Sequence, residues 1–306
     1  MSTLSAMRIY AAVVEANGFS AAAKVLGKPL STVSKKVADL ESQLGAQLLI
    51  RTTRKVTVTD SGRQYYEDVR QILDDIDMAE RHVSGEYRQP KGRLTITAPT
   101  MFGRLHILPI VNQFLQAHQH IDIDLLLTNF VVDLVGEHIN LGVRIGTLSD
   151  SSMIAKRAGT IRQIVCASPE YLSQCGVPQR PEDIANHRSI LISSNGTPVE
   201  WNFRVGGKSV NFIPDYSRLM INTVDGVVDA AIQNGGLAQL YSYQIASHIS
   251  SGALQAVIDD YEADSLPVNF VYPQGRFAPQ KVRAFIDFAV PRLRKSLETI
   301  EFHCTT

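Results

Sequence analysis

The sequence predicts an α/β protein in three parts: an N-terminal winged helix-turn-helix, a long linker helix and a two-lobed α/β domain. Three observations lead to this prediction. Short helical patterns and a basic hairpin fill residues 1–59, a seven-residue apolar repeat runs through residues 60–90, and strands alternate with helices over residues 91–306. A chain of 306 residues is also too long for one ordinary domain.

The composition is that of a folded protein with one basic segment. Hydrophobic residues make up 44% of the chain and charged residues 20%, which argues against disorder. The formal net charge is zero, yet residues 20–58 hold seven basic and two acidic side chains, a local charge of about +5. A basic module on a neutral-to-acidic remainder indicates a domain that contacts phosphates, whereas a solvated charged surface is the plainer alternative.

Targeting and disulfide patterns are not found in the sequence. It lacks the basic start and apolar core of a signal peptide, and it lacks an apolar run of the roughly 18 residues that a membrane span needs. Its three cysteines form no CxxC pair. We therefore expect a cytoplasmic protein with no membrane partner.

Two short helices are predicted at the N-terminus. The first carries apolar residues at helical spacing and ends near Asn17 and Gly18. Ser20 is expected to cap the second helix, because its hydroxyl can accept a hydrogen bond from a free amide of the first turn. Gly27 is expected to end that helix where a positive φ is commonly needed.

A third helix follows, with one apolar and one polar side. The apolar stripe consists of Val33, Val37, Leu40 and Leu44, and Gly45 closes the helix. The opposite side begins with short polar groups and continues with two lysines. Two short helices joined by a tight turn, the second polar and basic at its start, are typical of a helix-turn-helix whose recognition helix enters the major groove.

A wing is predicted after the third helix. Residues 48–50 and 56–59 have strand patterns, and residues 51–55 between them form a basic tip. An arginine at such a tip can reach phosphates or the minor groove.

These motifs together resemble the signature of LysR-type transcriptional regulators. The matching runs, in order, are residues 19–27 (FSAAAKVLG), 31–35 (STVSK), 40–45 (LESQLG), 51–54 (RTTR) and 57–62 (TVTDSG). The resemblance implies a double-stranded promoter DNA partner, contacted from the start of the third helix and from the wing. The residues expected at the DNA are Leu30, Ser31, Thr32, Ser34, Lys35, Lys36, Arg51 and Arg54.

One departure from the family pattern concerns base reading. Many members have Ser-Gln where this chain has Pro29 and Leu30. Pro29 can still open a helix. Leu30 offers only an apolar contact, for instance to a thymine methyl group, so the half-site preference does not carry over.

The linker helix is predicted over residues 61–87, and Gln89 to Gly92 form the hinge after it. Its apolar positions follow a four–three spacing, which indicates a coiled-coil seam, whereas a helix lying on its own domain would show a wider stripe. The seam positions are Tyr65, Val69, Ile72, Ile76, Ala79 and Val83. In the resembling family this helix pairs two subunits, so we expect a homodimer that assembles into a homotetramer, with the pairing setting the half-site separation.

The remaining residues predict a mostly parallel sheet with helices on its faces. Strands are expected at residues 94–98, 121–127, 141–145, 153–158 (an edge), 161–167, 237–240 and 266–272, and helices at 101–117, 131–136, near Pro169, 224–233, 242–250 and 279–299. The series fits lobe I (residues 91–160 and 265–306) and lobe II (residues 161–264), with a ligand cleft between them.

The resemblance extends over this region. Residues 98–103 (APTMFG), 143–146 (VRIG), 166–171 (CASPEY) and 281–288 (KVRAFIDF) look like LysR-type effector domains, which are built like periplasmic solute-binding proteins. The resemblance implies a small-molecule effector in the cleft.

Effector-binding candidates lie where strands end and helices begin, because free amides there favour an anionic or polar ligand. They are Thr100, Met101, Phe102, Thr128, Asn129, Phe130, Arg144, Asn195 and Thr223. The alternative for each is a helix cap or a turn residue.

Other motifs favour no further chemistry. His118 and His120 lack a third metal ligand, Cys166 lies in an apolar strand where a thiol is usually inert packing, and no nucleophile–base set stands out. We expect no catalytic site, metal or cofactor. Two rivals to a regulator stay open at this point: a transport solute-binding protein, and an enzyme fused to a DNA-binding module.

Overall fold

The computed structural model describes residues 3–51, 56–84, 90–148, 153–194, 196–274 and 279–303. The chain divides into two compact units, Met1–Arg88 and Gln89–Thr306. In the described residues no helix is both long enough and apolar enough to cross a membrane.

The first unit begins with three helices: α1 (Thr3–Glu15), α2 (Phe19–Leu26) and α3 (Leu30–Leu44). Gly27 and Gly45 end α2 and α3 in the left-handed conformation that glycine adopts without steric cost. The predicted Ser20 cap is wrong. Gly18 is the capping residue, because its carbonyl already accepts the amide of Ala22, and Ser20 therefore lies inside the first turn.

A small apolar core joins these helices to the wing. Its fully buried members come from all three helices and from the start of the wing: Ile9, Tyr10, Val13, Ala22, Val33, Val37, Leu40, Leu48 and Leu49. The prediction that Leu44 belongs to the buried stripe is wrong, since its side chain is 44% exposed. Leu44 is the last residue of α3, one turn beyond the packed part of the stripe.

The wing strands are β1 (Leu49–Arg51) and β2 (Val56–Val58), which pair antiparallel with Leu49 opposite Val58. The predicted basic tip at residues 52–55 lies outside the described residues.

The linker helix is α4 (Asp60–Ser84). The first two predicted seam positions do not face outward. Val69 is fully buried, and Tyr65 packs on the core of the winged helix-turn-helix. Ile72 is 42% exposed and Ile76 is half-buried. The prediction of one continuous seam is therefore wrong at its start, where α4 packs against its own domain.

The second unit contains thirteen strands and six α-helices within the described residues. In chain order they are β3 (Gly92–Ala98), α5 (Thr100–Phe102), a π-helical turn (Gly103–Ile107), α6 (Leu108–Ala117), β4 (Ile121–Leu127), β5 (Leu141–Ile145), β6 (Met153–Ile161), β7 (Gln163–Ala167), α7 (Pro169–Cys175), β8 (Ser189–Ser194), β9 (Thr197–Pro198), β10 (Trp201–Val205), β11 (Lys208–Phe212), β12 (Ser217–Ile221), α8 (Val224–Ile232), β13 (Ala238–Tyr241), α9 (Ser242–Ser250), β14 (Gln255–Val257), β15 (Leu266–Pro273) and α10 (Gln280–His303). Short 3-10 helices cover Pro181–Asn186 and Asp259–Tyr261.

The first lobe holds a five-stranded sheet in the order β4-β3-β5-β15-β6. Strand β3 pairs parallel with β4 and β5, whereas β15 pairs antiparallel with β5 and β6. The sheet is mixed rather than mostly parallel, because β15 enters it from the second lobe in the opposite direction. The edge position predicted for the strand starting at Met153 agrees with β6.

Two helix predictions in this lobe need correction. The helix expected over residues 101–117 is interrupted by the π-helical turn, because Pro109 has no amide for the carbonyl four residues earlier. Residues 131–136 form no helix. The Asp133 carboxylate accepts the amide of Val135, and such local bonds favour turns.

The second lobe centres on β7, which lies between β13 and β14, and on β8, which lies between β12 and β9. A parallel bridge between Ser189 and Leu237 links these two sheets. The hairpin of β10 and β11 turns at Gly206 and Gly207, both with positive φ. The chain passes from β6 into β7 through Arg162 and returns into β15 after Glu262.

Candidate nucleic-acid interface and interlobe site

The start of α3 presents a polar face to solvent. Ser31, Thr32 and Lys35 are exposed, opposite the buried Val33 and Val37. Pro29 precedes the first turn of the helix, with φ −59° and ψ 139°. No side chain caps the first amides of α3. Short polar side chains with a lysine at the open end of a helix can contact base edges and phosphates.

The other residues predicted to contact DNA differ from one another in exposure. Leu30 is 49% exposed at the tip of α3, while Ser34 and Lys36 are half-buried, Lys36 beside a shallow cavity shared with Asp39. Arg51 ends β1, but its side chain lies outside the described residues, as does all of Arg54. The structure therefore brings together Ser31, Thr32 and Lys35.

Glu41 holds the wing against α3. Its Oε1 atom accepts the backbone amides of Leu48, at 2.9 Å, and Leu49, at 3.0 Å. Glu41 was not among the predicted site residues, although it lies in the LESQLG run and is one of only two acidic residues in the basic segment 20–58.

In the second unit, Thr100 and Asn129 come together at the carboxyl ends of β3 and β4. The Thr100 amide donates to Asn129 Oδ1 at 3.0 Å, so the amide expected to be free is already paired. The Thr128 hydroxyl accepts a hydrogen bond from the amide of Phe130 at 3.2 Å. Thr128 therefore acts as a turn residue, which was the alternative to a role in effector binding. Phe130 is 63% exposed.

Three other predicted effector-binding residues are buried or half-buried and do not line an open cleft. Met101 and Phe102 are buried in the main core. Arg144 is half-buried and donates to the Val132 carbonyl at 3.0 Å, and burial lowers the pKa of its guanidinium. Asn195 lies outside the described residues.

The two lobes meet at an ion pair that the sequence did not suggest. Arg104 Nη2 lies 2.9 Å from Asp225 Oδ1, joining the π-helical turn of lobe I to the start of α8 in lobe II. Arg104 comes one turn after Thr100, and Asp225 comes two residues after the exposed Thr223, which begins α8. Each threonine is thus within four residues along the chain of one partner in this ion pair.

Aromatic residues line the same junction. The ring centroids of Phe102 and Tyr243 are 5.0 Å apart in an edge-to-face arrangement, and His106 lies 5.7 Å from Tyr243. The His106 Nδ1 atom is 3.1 Å from the Ser296 hydroxyl. Burial lowers the pKa of His106 to about 4, so its imidazole is neutral near pH 7.

A winged helix-turn-helix followed by a two-lobed α/β unit defines a class of protein: DNA-binding regulators that carry a ligand-binding domain. Residues 4–63 match the family described as "Bacterial regulatory helix-turn-helix protein, lysR family", and residues 87–294 match the "LysR substrate binding domain". The chain belongs to the LysR family of DNA-binding transcriptional regulators.

Individual relatives extend over almost the whole chain. An HTH-type transcriptional regulator of Xanthomonas campestris pv. campestris (strain 8004) is 32% identical over 300 residues, covering 97% of this chain and 87% of that protein. The structure of CrgA, a LysR-type regulator from Neisseria meningitidis, has a TM-score of 0.60 at 27% identity, covering 96% of this chain and 99% of that one. The Vibrio cholerae virulence activator AphB has a TM-score of 0.59 at 26% identity, covering 95% and 99%.

These matches support the regulator among the classes left open by the sequence. The relatives are transcriptional regulators, and both the helix-turn-helix and the effector domain are accounted for. Regulators of this type bind DNA and small-molecule effectors and have oligomeric structures.

Proposed function

We propose that this regulator reads its operator with the exposed face of α3 formed by Ser31, Thr32 and Lys35. The observation that carries the proposal is that face itself, lying opposite the buried stripe of the same helix. Leu30 adds an apolar contact, and Arg51 and Arg54 of the wing add phosphate contacts.

The effector site proposed here lies where the lobes meet, among Thr100, Asn129 and Thr223. The Arg104–Asp225 ion pair supports this placement, because it joins the π-helical turn that follows α5 to the first turn of α8. Arg104 is 54% exposed, so an anionic effector can reach its guanidinium. A ligand bound there shifts the arrangement of the lobes only by its differential affinity for the two arrangements.

The oligomer in this proposal is a homodimer paired along α4 that assembles into a homotetramer. The partly exposed Ile72 and Ile76 support pairing beyond the first turns of the helix. Two copies of α3 then contact two half-sites.

The test is an electrophoretic mobility shift of the full chain with DNA from upstream of its own gene, at several salt concentrations. Lys35→Ala and Arg54→Ala should each weaken binding to all sequences and flatten the salt dependence by about one unit of slope. Lys208→Ala, which removes an exposed lysine of lobe II, is the control and should change neither quantity. Unchanged affinity of Lys35→Ala would remove α3 from the DNA interface.

A further inference from the structure

The first turn of α4 is in unusually close contact with the winged helix-turn-helix at the buried Gly62. A Cβ atom added there would lie 2.1 Å from the Leu48 carbonyl oxygen and 3.0 Å from the Tyr10 hydroxyl. Gly62 lies within a helix, so the glycine is required by this close approach rather than by an unusual backbone conformation. Any larger residue has to push α4 away from Leu48, the residue before β1.

Hydrogen bonds hold the first turn of α4 both to α1 and to the residues before β1. The Tyr10 hydroxyl of α1 donates to the Gly62 carbonyl at 2.7 Å. The Thr59 hydroxyl accepts the Gly62 amide at 2.9 Å and donates to the Gln47 carbonyl at 2.8 Å. The backbone amide of Thr59 also donates to Leu48 at 3.0 Å. The start of α4 is thus attached to α1 and to the two residues that lead into β1.

A second attachment lies about two turns further along the helix. The Tyr66 hydroxyl donates to Glu15 Oε1 at 3.0 Å, and the Arg70 Nε atom lies 3.8 Å from the same oxygen. The buried Val69 lies between these two residues. Two separated attachments define the direction of a helix axis, whereas one would leave it free to pivot.

We propose that Gly62 is a positioning residue for operator recognition: its contact with Leu48 sets the angle between α4 and α3, and thereby the half-site separation that the dimer accepts. The proposal rests on the proposed function, in which α3 reads DNA and α4 pairs two subunits. It also explains why Tyr65 and Val69 are absent from the outer seam, since they belong to the attachment.

The size of the effect follows from the geometry of the helix. A methyl group at Gly62 requires the first turn to move by roughly 1.3 Å before the Cβ atom reaches an ordinary contact distance of about 3.4 Å from the Leu48 carbonyl oxygen. With α4 held at Arg70 and a rise of about 1.5 Å per residue, this movement tilts the helix by roughly 6° and displaces its far end by roughly 2 Å. Two subunits related by symmetry add their displacements to about 4 Å, close to the roughly 3.4 Å rise of one base pair.

The experiment measures spacing preference with the full-length protein. A half-site is first selected from random duplex DNA, and inverted repeats are then built with the spacer varied one base pair at a time. Gly62→Ala should move the preferred spacer by about one base pair, or remove the preference, while leaving affinity for a single half-site unchanged. Gly18→Ala adds the same methyl group where nothing lies within 4 Å, so it should keep the wild-type spacing.

A second variant covers the case in which Gly62→Ala does not fold. Tyr10→Phe removes only the hydroxyl that binds the Gly62 carbonyl, and it should weaken discrimination between neighbouring spacers without changing half-site affinity. If folded Gly62→Ala keeps the wild-type optimum, or if Tyr10→Phe keeps the full discrimination when it alone folds, the positioning role is overturned. A wild-type protein that binds no DNA, or that is monomeric, contradicts the proposed function instead.

Discussion

Residues of the proposed interlobe site make contacts that differ from those their positions in the sequence suggest. Thr100 lies at a strand-to-helix junction as expected, but its amide is used internally by Asn129. Its exposed side chain is therefore the part of Thr100 that a ligand can contact. Met101 and Phe102, adjacent in sequence, are core residues instead.

Thr100→Val tests that contact, with the effector first found by thermal-shift screening of small carboxylates. The substitution keeps the shape but leaves a ligand acceptor unpaired, at a cost of about 1–3 kcal/mol. The response midpoint in a footprint titration should then move to roughly ten-fold higher effector concentration or beyond. Thr299→Val removes a hydroxyl that binds within α10 and should leave the midpoint in place. An unchanged midpoint for Thr100→Val takes this residue out of the site.

His106 links stability to pH at the same junction. Burial lowers its pKa to about 4, while an unfolded chain has a value of about 6.5. The folded protein therefore binds fewer protons between these values, and its stability is full above about pH 6.5 and declines toward pH 4, by an amount on the order of 3 kcal/mol.

Urea unfolding of the wild type and His106→Gln across pH 4–7 measures this contribution. Glutamine does not titrate here, so the variant should show a shallower loss of unfolding free energy as the pH falls. Parallel pH profiles for the two proteins would show that His106 does not carry the effect.

At the scale of elements, α4 divides into a part attached to its own domain and a part free to pair. Tyr65 and Val69 lie in the first part, and Ile72 and Ile76 in the second. The heptad pattern runs through both parts, because burial against α1 and the proposed burial against a partner helix select the same apolar residues. The spacing predicted an apolar stripe but not which neighbour covers it.

Ile72→Asp combined with Ile76→Asp tests the second part. A charge in a buried seam costs several kcal/mol unless it is paired, so the double variant should dissociate to monomers in sedimentation at low micromolar concentration. Ile213→Asp, at a position in lobe II with a similar exposure of 40%, should keep the wild-type state. A double variant that stays dimeric through α4 contradicts the pairing.

At the scale of the whole regulatory unit, a cluster of charges lies where the chain crosses between the lobes. Arg162 joins β6 to β7, and its guanidinium binds Glu262 at 3.1 Å and Glu301 of α10 at 2.5 Å. The Ser242 hydroxyl at the start of α9 donates to Glu301 at 2.9 Å. Burial raises the pKa of Glu262 despite the neighbouring arginine, which lowers it. The cluster thus connects both crossings to the terminal helix.

Arg162→Gln should lower the free energy of unfolding by about 2–3 kcal/mol. Breaking a fully buried pair costs about 3–5 kcal/mol, and these side chains are 15–29% exposed, so a smaller loss is expected. Without Arg162 the pKa of Glu262 loses the neighbouring charge that lowers it and rises further, so the loss should be larger at pH 8 than at pH 5.

Arg204→Gln is the matched control, because its partner Asp264 is 75% exposed and such pairs contribute about 0–1 kcal/mol. Thermal melting of the three proteins at both pH values makes the comparison. Equal losses for the two variants would remove Arg162 from the stabilising contacts between the lobes.

Local signals in the sequence determined most of the architecture. Glycines ended α2 and α3 where predicted, the apolar stripe of α3 identified its exposed face, and β4 and β5 begin and end at the expected residues. These features depend on residues a few positions apart, whose periodicity and backbone preferences can be read without knowing any tertiary contact. The ordered run of helix-turn-helix and wing motifs was sufficient to indicate the family.

Contacts between distant residues were decided only by the tertiary structure. Arg104 and Asp225 are 121 positions apart, and Arg162 and Glu301 are 139 apart. The same holds for Gly62 against Leu48, and for β15, which returns from lobe II and makes the first sheet mixed. Neither partner of such a pair carries a local pattern that specifies the other, because the contact depends on how whole elements pack. Packing selects partners by shape and charge in three dimensions, and a spacing along the chain does not encode that.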